Sequence, residues 1–111
     1  MTNNKTTREL LREFAPKLAD YTDTVLFGEL WQRKELSPRD RSLITVAALI
    51  ASEHTAQLPY HLELALHNGV TQEELAEAMT HLAFYVGWPR AAAAVTVAGE
   101  LWADYGDSTA N

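Results

Sequence analysis

Histidine is the residue type in this sequence best suited to proton transfer, because its pKa lies closest to neutral pH. The chain has four histidines and no cysteine, so thiol nucleophiles and thiolate ligands are excluded. His61 shares a helical face with Leu58, Leu62 and Ala65. This pattern allows two interpretations: a core histidine bonded to a backbone carbonyl, or a general acid or base whose pKa is tuned by burial.

A polar stripe is formed by three residues whose spacing places them on one face of a helix, Glu77, His81 and Tyr85. A carboxylate that orients an imidazole is a recurring catalytic arrangement, and the same spacing is also common in surface pairs. Glu63 and His67 repeat this spacing. Because His67 precedes a predicted helix end, where a cation favours the helix dipole, this second pair is interpreted as structural.

The acidic chain contains one local basic cluster, formed by Arg33, Lys34, Arg39 and Arg41. Arg41 falls in the first turn of a predicted helix, where a guanidinium suits the binding of a carboxylate. The alternative is that these side chains lie in a solvated loop.

Metal and nucleic-acid binding are both disfavoured. The four histidines show no recognised ligand spacing, and no thiolate is present to complete a metal site. The net charge of −6 disfavours a general nucleic-acid binder, and the three tryptophans are interpreted as core or interface residues. No stretch approaches the roughly 20 apolar residues of a membrane helix. The N-terminus is polar, without the apolar core of a signal peptide. We therefore expect a cytoplasmic protein without membrane contact.

Helices must position these residues. The chain has 111 residues, 47% of them hydrophobic, which suits one globular domain over residues 1–111. The periodicity predicts an all-α fold of about five to seven helices, with residues 1–5 and 106–111 as loose tails. Helices are predicted from about Thr6 with a break at Pro16, over Val25–Trp31, from Pro38 through Ala51, over about 56–68, from Thr71 to Val86, and from Pro89 to about Tyr105.

Local signals define several of these boundaries. Asn68 and Gly69 form a helix stop, with the glycine able to adopt a positive φ. Thr71 and Glu74 form a capping box at the next helix start, and Gly87 ends that helix.

The helix that starts at Pro38 has an unusual composition. From Leu43 to Ala51 its only polar residue is Thr45. A helix that is apolar all round is buried on every side, and in so small a domain a subunit interface is one way to bury it. The pattern therefore predicts oligomerisation.

Four segments in order carry a resemblance to a known family. They read RSLITVAALI at 41–50, LPYHL at 58–62, ALHNGVTQEE at 65–74 and HLAFYVGWP at 81–89. Together they resemble the carboxymuconolactone decarboxylase family over roughly Phe27 to Leu101. The resemblance implies an all-helical fold and a homo-oligomer, a trimer or a hexamer.

The same superfamily includes alkylhydroperoxidase D-type proteins, which use a Cys-x-x-Cys pair with a histidine and a glutamate as a proton relay. The resemblance places His61 at the relay histidine, His54 and Gln57 at the cysteine positions, and Ser42 at about the glutamate position. Because the chain has no cysteine, a thiol peroxidase mechanism is excluded.

The family's name-giving reaction removes carbon dioxide from 4-carboxymuconolactone and gives a 3-oxoadipate enol-lactone in aromatic catabolism. The unsaturated lactone accepts the electron pair, so no cofactor is expected. The resemblance implies that Arg41 binds a carboxylate of the small anionic substrate and that His61 donates the proton or stabilises the oxyanion. His81, Tyr85 and Trp88 would complete the pocket.

Two alternatives to the named reaction stay open. One is a related cofactor-free lyase or isomerase that acts on another small carboxylate or lactone. The other is a non-catalytic oligomeric scaffold or small-ligand binder of the same fold. An enzyme should place His61 beside a cavity that a cation faces, whereas a scaffold should pack His61 fully and bond it to backbone.

Overall fold

The computed structural model describes residues 5–109 of the chain. Within this range the fold is all-α, as the sequence predicts, with six α-helices and no strand. They are α1 (Thr7–Phe14), α2 (Pro16–Tyr21), α3 (Pro38–Ala51), α4 (Leu58–His67), α5 (Gln72–Val86) and α6 (Trp88–Thr109). The chain forms two compact units with a boundary between Ser37 and Pro38.

The N-terminal unit begins with a capped helix. Thr6 Oγ1 accepts a hydrogen bond from the Glu9 backbone N–H (3.1 Å), and the Glu9 carboxylate accepts one from the Thr6 N–H (3.0 Å). Pro16 is the first residue of α2, so the predicted break at this proline is confirmed. Of the side chains described in this unit, only Ala19 is buried.

The predicted short helix over Val25–Trp31 has a different geometry in the structure. A π-helical turn covers Thr22–Phe27, and a 3₁₀ turn covers Leu30–Gln32. Thr22 Oγ1 donates to the carbonyl of Leu18 (2.9 Å), and Thr24 Oγ1 donates to the carbonyl of Asp20 (2.7 Å). The segment therefore has one wider and one tighter turn in place of a regular α-helix.

The second unit is a four-helix bundle of α3, α4, α5 and α6. Helices α3 and α6 contact each other, and each also contacts both α4 and α5. The connections after α4 and α5 are short, so helices that follow one another run in opposite directions. The buried core consists of Val46, Ile50, Leu58, Leu62, Ala65, Val70, Leu75, Met79, Ala94 and Ala98. The small residues of α6 allow its neighbours to approach closely.

The predicted boundary signals of the bundle are confirmed. Gly69 follows α4 with a φ of 102°, and Gly87 separates α5 from α6 with a φ of 105°. Thr71 Oγ1 accepts from the Glu74 N–H (3.0 Å), and the Glu74 carboxylate accepts from the Thr71 N–H (3.0 Å). Hydrogen bonding to the Thr71 backbone, and then to the Arg39 side chain, lowers the pKa of Glu74. The carboxylate therefore stays ionised at a lower pH than a glutamate without these partners.

The final helix extends beyond its predicted end. Helix α6 begins at Trp88 and runs to Thr109, whereas the sequence predicted an end near Tyr105. Of the predicted loose tails, residues 1–4 and 110–111 lie outside the described residues. Within residues 5–109, no helix combines the length and apolar character needed to span a membrane.

The sequence predicts burial of α3 on every side with the help of a subunit interface, and a single chain leaves one face of this helix exposed. Ser42, Val46 and Ile50 are its buried residues, whereas Ile44 is exposed. The physical reason is that α3 contacts its partner helices on the core side, and an outer face is left over.

The bundle has two ends, and the first is named the Arg39 end. Helices α3 and α5 begin here, and α4 ends here. The Asn68 side-chain amide, just after α4, donates to Ser42 Oγ in the first turns of α3 (3.0 Å). Arg39 forms an ion pair with Glu74 in the first turn of α5.

The opposite end is named the Gly87 end. Helices α3 and α5 end here at Ala51 and Val86, and helices α4 and α6 begin here. An ion pair between Glu53 and Arg90 (3.7 Å) joins the loop after α3 to the first turn of α6.

Candidate functional site

His61 lies in the first turn of α4, at the Gly87 end of the bundle. Leu58, Leu62 and Ala65 are buried on the same helix, whereas His61 is half-buried at the edge of their face. The ring meets the neighbouring Tyr60 ring edge to face, with 5.1 Å between centroids. His61 is therefore neither a surface residue nor a fully enclosed one.

The buried part of the His61 ring includes Nδ1, which has no hydrogen-bond partner among the described residues. A buried polar atom without a partner is uncommon and costs stability, so its presence calls for a functional or structural reason. Burial lowers the pKa of His61 below its usual value because the charged imidazolium is the form that loses hydration. At neutral pH the imidazole is therefore neutral.

The sequence predicts two arrangements for His61, one for an enzyme and one for a scaffold, and the structure fully matches neither. In the part of the chain that the structure describes, its ring makes no hydrogen bond to backbone and is not fully packed, as a scaffold histidine should be. His61 also does not line the surface groove that lies between α5 and α6.

His81 and Tyr85 are brought into contact, as their spacing predicts. Their rings stack with 4.8 Å between centroids and an angle of 27° between planes. Both side chains are exposed, and Tyr85 keeps 76% of its surface accessible. Glu77, one turn earlier, is also exposed.

Trp88 is the first residue of α6 and lies at the same end of the bundle as His61. Its ring contacts Phe84 edge to face, with 5.5 Å between centroids, and both rings are largely exposed. Trp88 also lines a surface groove of about 420 Å³ between α5 and α6. The other lining residues are Met79, Thr80, Ala83, Ala91, Ala92, Val95 and Thr96.

Arg41 is the one predicted site residue at the other end of the bundle. It lies in the first turns of α3, next to Ser42, which bonds to Asn68 at the end of α4. Because an α-helix rises 1.5 Å per residue, Asn68 lies about 10 Å further along α4 than His61. Within one chain the structure therefore separates Arg41 from His61.

The sequence interpretation missed Arg90, the arginine that lies at the Gly87 end. Its Nη1 donates to the carbonyl of Val86 (3.0 Å), and its Nε lies 3.7 Å from the Glu53 carboxylate. The available signal was its position directly after the Gly87–Pro89 turn that the family resemblance covers. Glu53 was also missed, and it is the one non-glycine residue with a positive φ (58°) among those described.

The positions matched to the thiol relay hold other groups. His54 is exposed, and its backbone N–H donates to the carbonyl of Leu49 (2.9 Å). Ser42 is fully buried and accepts the hydrogen bond from Asn68. Over residues 5–109, no three His, Asp or Glu side chains are grouped in a way that suits a metal ion.

The fold and the half-buried imidazole define a small all-helical protein that offers acid–base chemistry and no thiol chemistry. The chain belongs to the carboxymuconolactone decarboxylase family, whose sequence model matches residues 16–100. The predicted family resemblance is thereby confirmed.

Two relatives extend this assignment. A 4-carboxymuconolactone decarboxylase from Acinetobacter baylyi is 36% identical over 98 residues, which cover 88% of this chain and 73% of the relative. A nitrosuccinic acid decarboxylase from Metarhizium robertsii is 38% identical over 71 residues, which cover 64% of this chain and 50% of the relative. Both names support a decarboxylase-like function for this chain.

Proposed function

We propose that this protein is a cofactor-independent carboxy-lyase for a small anionic carboxylate, with 4-carboxymuconolactone as the first candidate substrate. The single observation that carries the proposal is His61, a half-buried imidazole with an unpartnered Nδ1 and a pKa lowered by burial. Family membership and the two relatives named as decarboxylases support the reaction class.

The substrates named for the two relatives share one chemical feature. Each has a carboxylate close to a group that accepts an electron pair, an unsaturated lactone in one and a nitro group in the other. Each also keeps a second carboxylate after carbon dioxide has left. A site that serves both needs to stabilise an oxygen that gains negative charge, and this need not involve a metal or an organic cofactor.

The reaction is balanced without an oxidant. The bond between the ring carbon and the leaving carboxylate of 4-carboxymuconolactone breaks, and its electron pair enters the unsaturated lactone. Negative charge then develops on the carbonyl oxygen of the lactone. A proton added to carbon gives the 3-oxoadipate enol-lactone, and carbon dioxide is the other product.

Neutral His61 suits the stabilisation of this charge. With the proton on Nε2, the imidazole donates a hydrogen bond to the oxygen where charge develops, and no ionised group must be desolvated beforehand. The lowered pKa of His61 favours this role over permanent storage of a proton as imidazolium. The imidazole keeps this N–H throughout, and the proton that the carbanion takes up comes from water.

The remaining candidate residues take supporting roles in this proposal. Trp88, His81 and Tyr85 form an exposed aromatic surface near the Gly87 end. In a homotrimer or homohexamer such a surface becomes a pocket wall when another subunit covers it. Arg41 lies at the other end of its own bundle, so it serves this site from a neighbouring subunit.

The oligomer has a direct test. Size-exclusion chromatography with light scattering at micromolar protein should give a trimer or a hexamer. A monomer at this concentration would contradict the assembled pocket.

The proposed reaction is tested by turnover of 4-carboxymuconolactone, followed as carbon dioxide release. We expect His61→Asn to lower kcat by about 10²–10³-fold, the usual effect of removing one oxyanion donor. His67→Asn is the matched control, because His67 is an exposed histidine on the same helix. A folded wild-type protein without turnover would reject the named reaction.

A non-catalytic scaffold is the second candidate, and the exposed aromatic surface around Phe84 and Trp88 favours it. In this case His61→Ala should lower the free energy of unfolding by about 1–3 kcal/mol. In the enzyme, loss of a ring whose Nδ1 lacks a partner should affect activity far more than stability. Urea unfolding of the same variants used for turnover separates the two candidates.

A further inference from the structure

Arg90 is held in a fixed place at the Gly87 end of the bundle. Its Nη1 donates to the carbonyl of Val86, the last residue of α5 (3.0 Å), so the guanidinium folds back over the turn that contains Gly87. The opposite edge of the guanidinium carries Nε and Nη2, and its Nε lies 3.7 Å from the Glu53 carboxylate. That edge presents two parallel N–H groups, which is the geometry that binds a carboxylate through both oxygens.

Few cations in the bundle can compete with Arg90 for an anion near His61. After Ser37 the sequence has three arginines and no lysine, and the arginines are Arg39, Arg41 and Arg90. Arg39 and Arg41 both lie in the first turns of α3 at the Arg39 end, whereas His61 lies at the Gly87 end. Within the bundle of one chain, Arg90 is therefore the arginine on the His61 side.

Glu53 already contacts the carboxylate-binding edge of Arg90, but only loosely. The contact runs through Nε alone at 3.7 Å, and both side chains keep substantial exposure to water. The Glu53 backbone has a φ of 58°, a conformation that costs free energy for a residue other than glycine and that is found preferentially at functional sites. Its N–H donates to the carbonyl of Ile50, which fixes this strained residue to the end of α3 (3.2 Å).

We propose that Arg90 anchors the carboxylate that stays on the substrate, and that Glu53 occupies this edge of Arg90 until the substrate displaces it. The inference rests on the proposed decarboxylase function and assigns a binding residue to the second carboxylate of its substrate. One carboxylate leaves beside the electron acceptor, and the other binds Arg90. Glu53 thereby discriminates against weakly charged ligands, since an incoming group must replace an existing ion pair.

The test compares Michaelis constants for 4-carboxymuconolactone and dissociation constants for an unreactive probe in the full chain. The probe is (5-oxotetrahydrofuran-2-yl)acetate, a saturated lactone that keeps the acetate arm and lacks the leaving carboxylate. Its affinity is measured by isothermal titration calorimetry. Arg90→Gln should raise both constants about 10- to 100-fold, the value of a charge-assisted bidentate contact.

Two further variants distinguish anchoring from a structural role. Arg90→Lys should recover only part of the affinity, because an ammonium keeps the charge and loses the paired N–H groups. Glu53→Gln should lower both constants roughly two- to fivefold, because the competing carboxylate is removed. If Glu53→Gln instead damaged the structure, both constants would rise. Arg39→Gln is the matched control, since Arg39 is an ion-paired arginine at the other end of the bundle.

The outcomes separate the anchor from the reaction. Probe binding that depends on Arg90 in a protein without turnover would support the anchor and reject the decarboxylase. Turnover with constants that Arg90→Gln leaves unchanged would overturn the anchor and keep the decarboxylase. Constants raised by Arg41→Gln and not by Arg90→Gln would assign the anchor to Arg41 of a neighbouring subunit and overturn the inference.

Discussion

Gly87 makes the entire connection between α5 and α6, and its replacement by alanine tests how far this single residue defines the candidate site. Its φ of 105° and ψ of 146° lie in a region that is essentially restricted to glycine. An added Cβ would meet Pro89 Cδ at 3.8 Å, which is an ordinary van der Waals contact. The cost of Gly87→Ala therefore comes from backbone strain and not from collision.

The expected loss in the free energy of unfolding is about 1–3 kcal/mol, the range for a residue forced into such a conformation. Urea unfolding monitored by circular dichroism at a fixed protein concentration measures this loss. If the chain relieves the strain by moving, Arg90 also loses its hold on the Val86 carbonyl, so kcat/KM should fall with stability.

Gly99→Ala is the control for this experiment. Gly99 lies inside α6, and among the described residues a Cβ there meets no atom within 4 Å beyond its chain neighbours and the nearby backbone of its own helix. Alanine at this position should therefore stabilise the helix by roughly 0.5–1 kcal/mol. The reasoning is refuted if Gly87→Ala leaves the unfolding free energy unchanged or raises it as Gly99→Ala does.

Four further predictions concern the imidazole, the core and one helix cap. Since burial lowers the pKa of His61, kcat/KM should rise with pH through that lowered pKa and level off near neutrality; a fall with rising pH would instead identify imidazolium as the active form. Unfolded His61 binds a proton more readily than the folded form, so stability should fall as pH drops from about 6.5 through the lowered pKa. Unfolding curves of His61→Asn at several pH values should show a weaker decline, and an equal decline would exclude His61 as its cause. Leu62→Ala, at a fully buried position, should lower the unfolding free energy by about 2–5 kcal/mol, measured in urea; a loss under 1 kcal/mol would contradict its place in the core. Thr71→Ala should cost about 1 kcal/mol in thermal unfolding, because the Glu74 N–H loses its partner, and Thr71→Ser should restore it.

Local chemistry made much of the fold predictable. The helix start at Thr71 follows from a hydroxyl and a carboxylate three residues apart, and the stop at Gly87 follows from a residue type with no Cβ. The π-helical turn over Thr22–Phe27 was not predictable, because apolar periodicity over so short a segment does not distinguish a π-helical turn from an α-helical one.

The candidate site was predictable only in part, for a different reason. Periodicity placed His81 and Tyr85 on one helical face, but it does not tell which face of a helix with few charges turns toward water. The Arg90–Glu53 pair joins the first turn of α6 to the loop after α3, and only the packing of the bundle brings these distant segments together. Nothing in the residue type of Glu53 indicates its positive φ, whereas a glycine would have done so.

The near absence of buried side chains in the N-terminal unit has a consequence for biosynthesis. Residues 5–37 leave the ribosome before the segments that form the core, and Ala19 alone among their described side chains is buried. Exposed ion pairs such as Arg12–Asp20 contribute little, so this segment cannot offset its loss of chain entropy by itself. We therefore expect residues 5–37 to be open to proteases as they leave the ribosome.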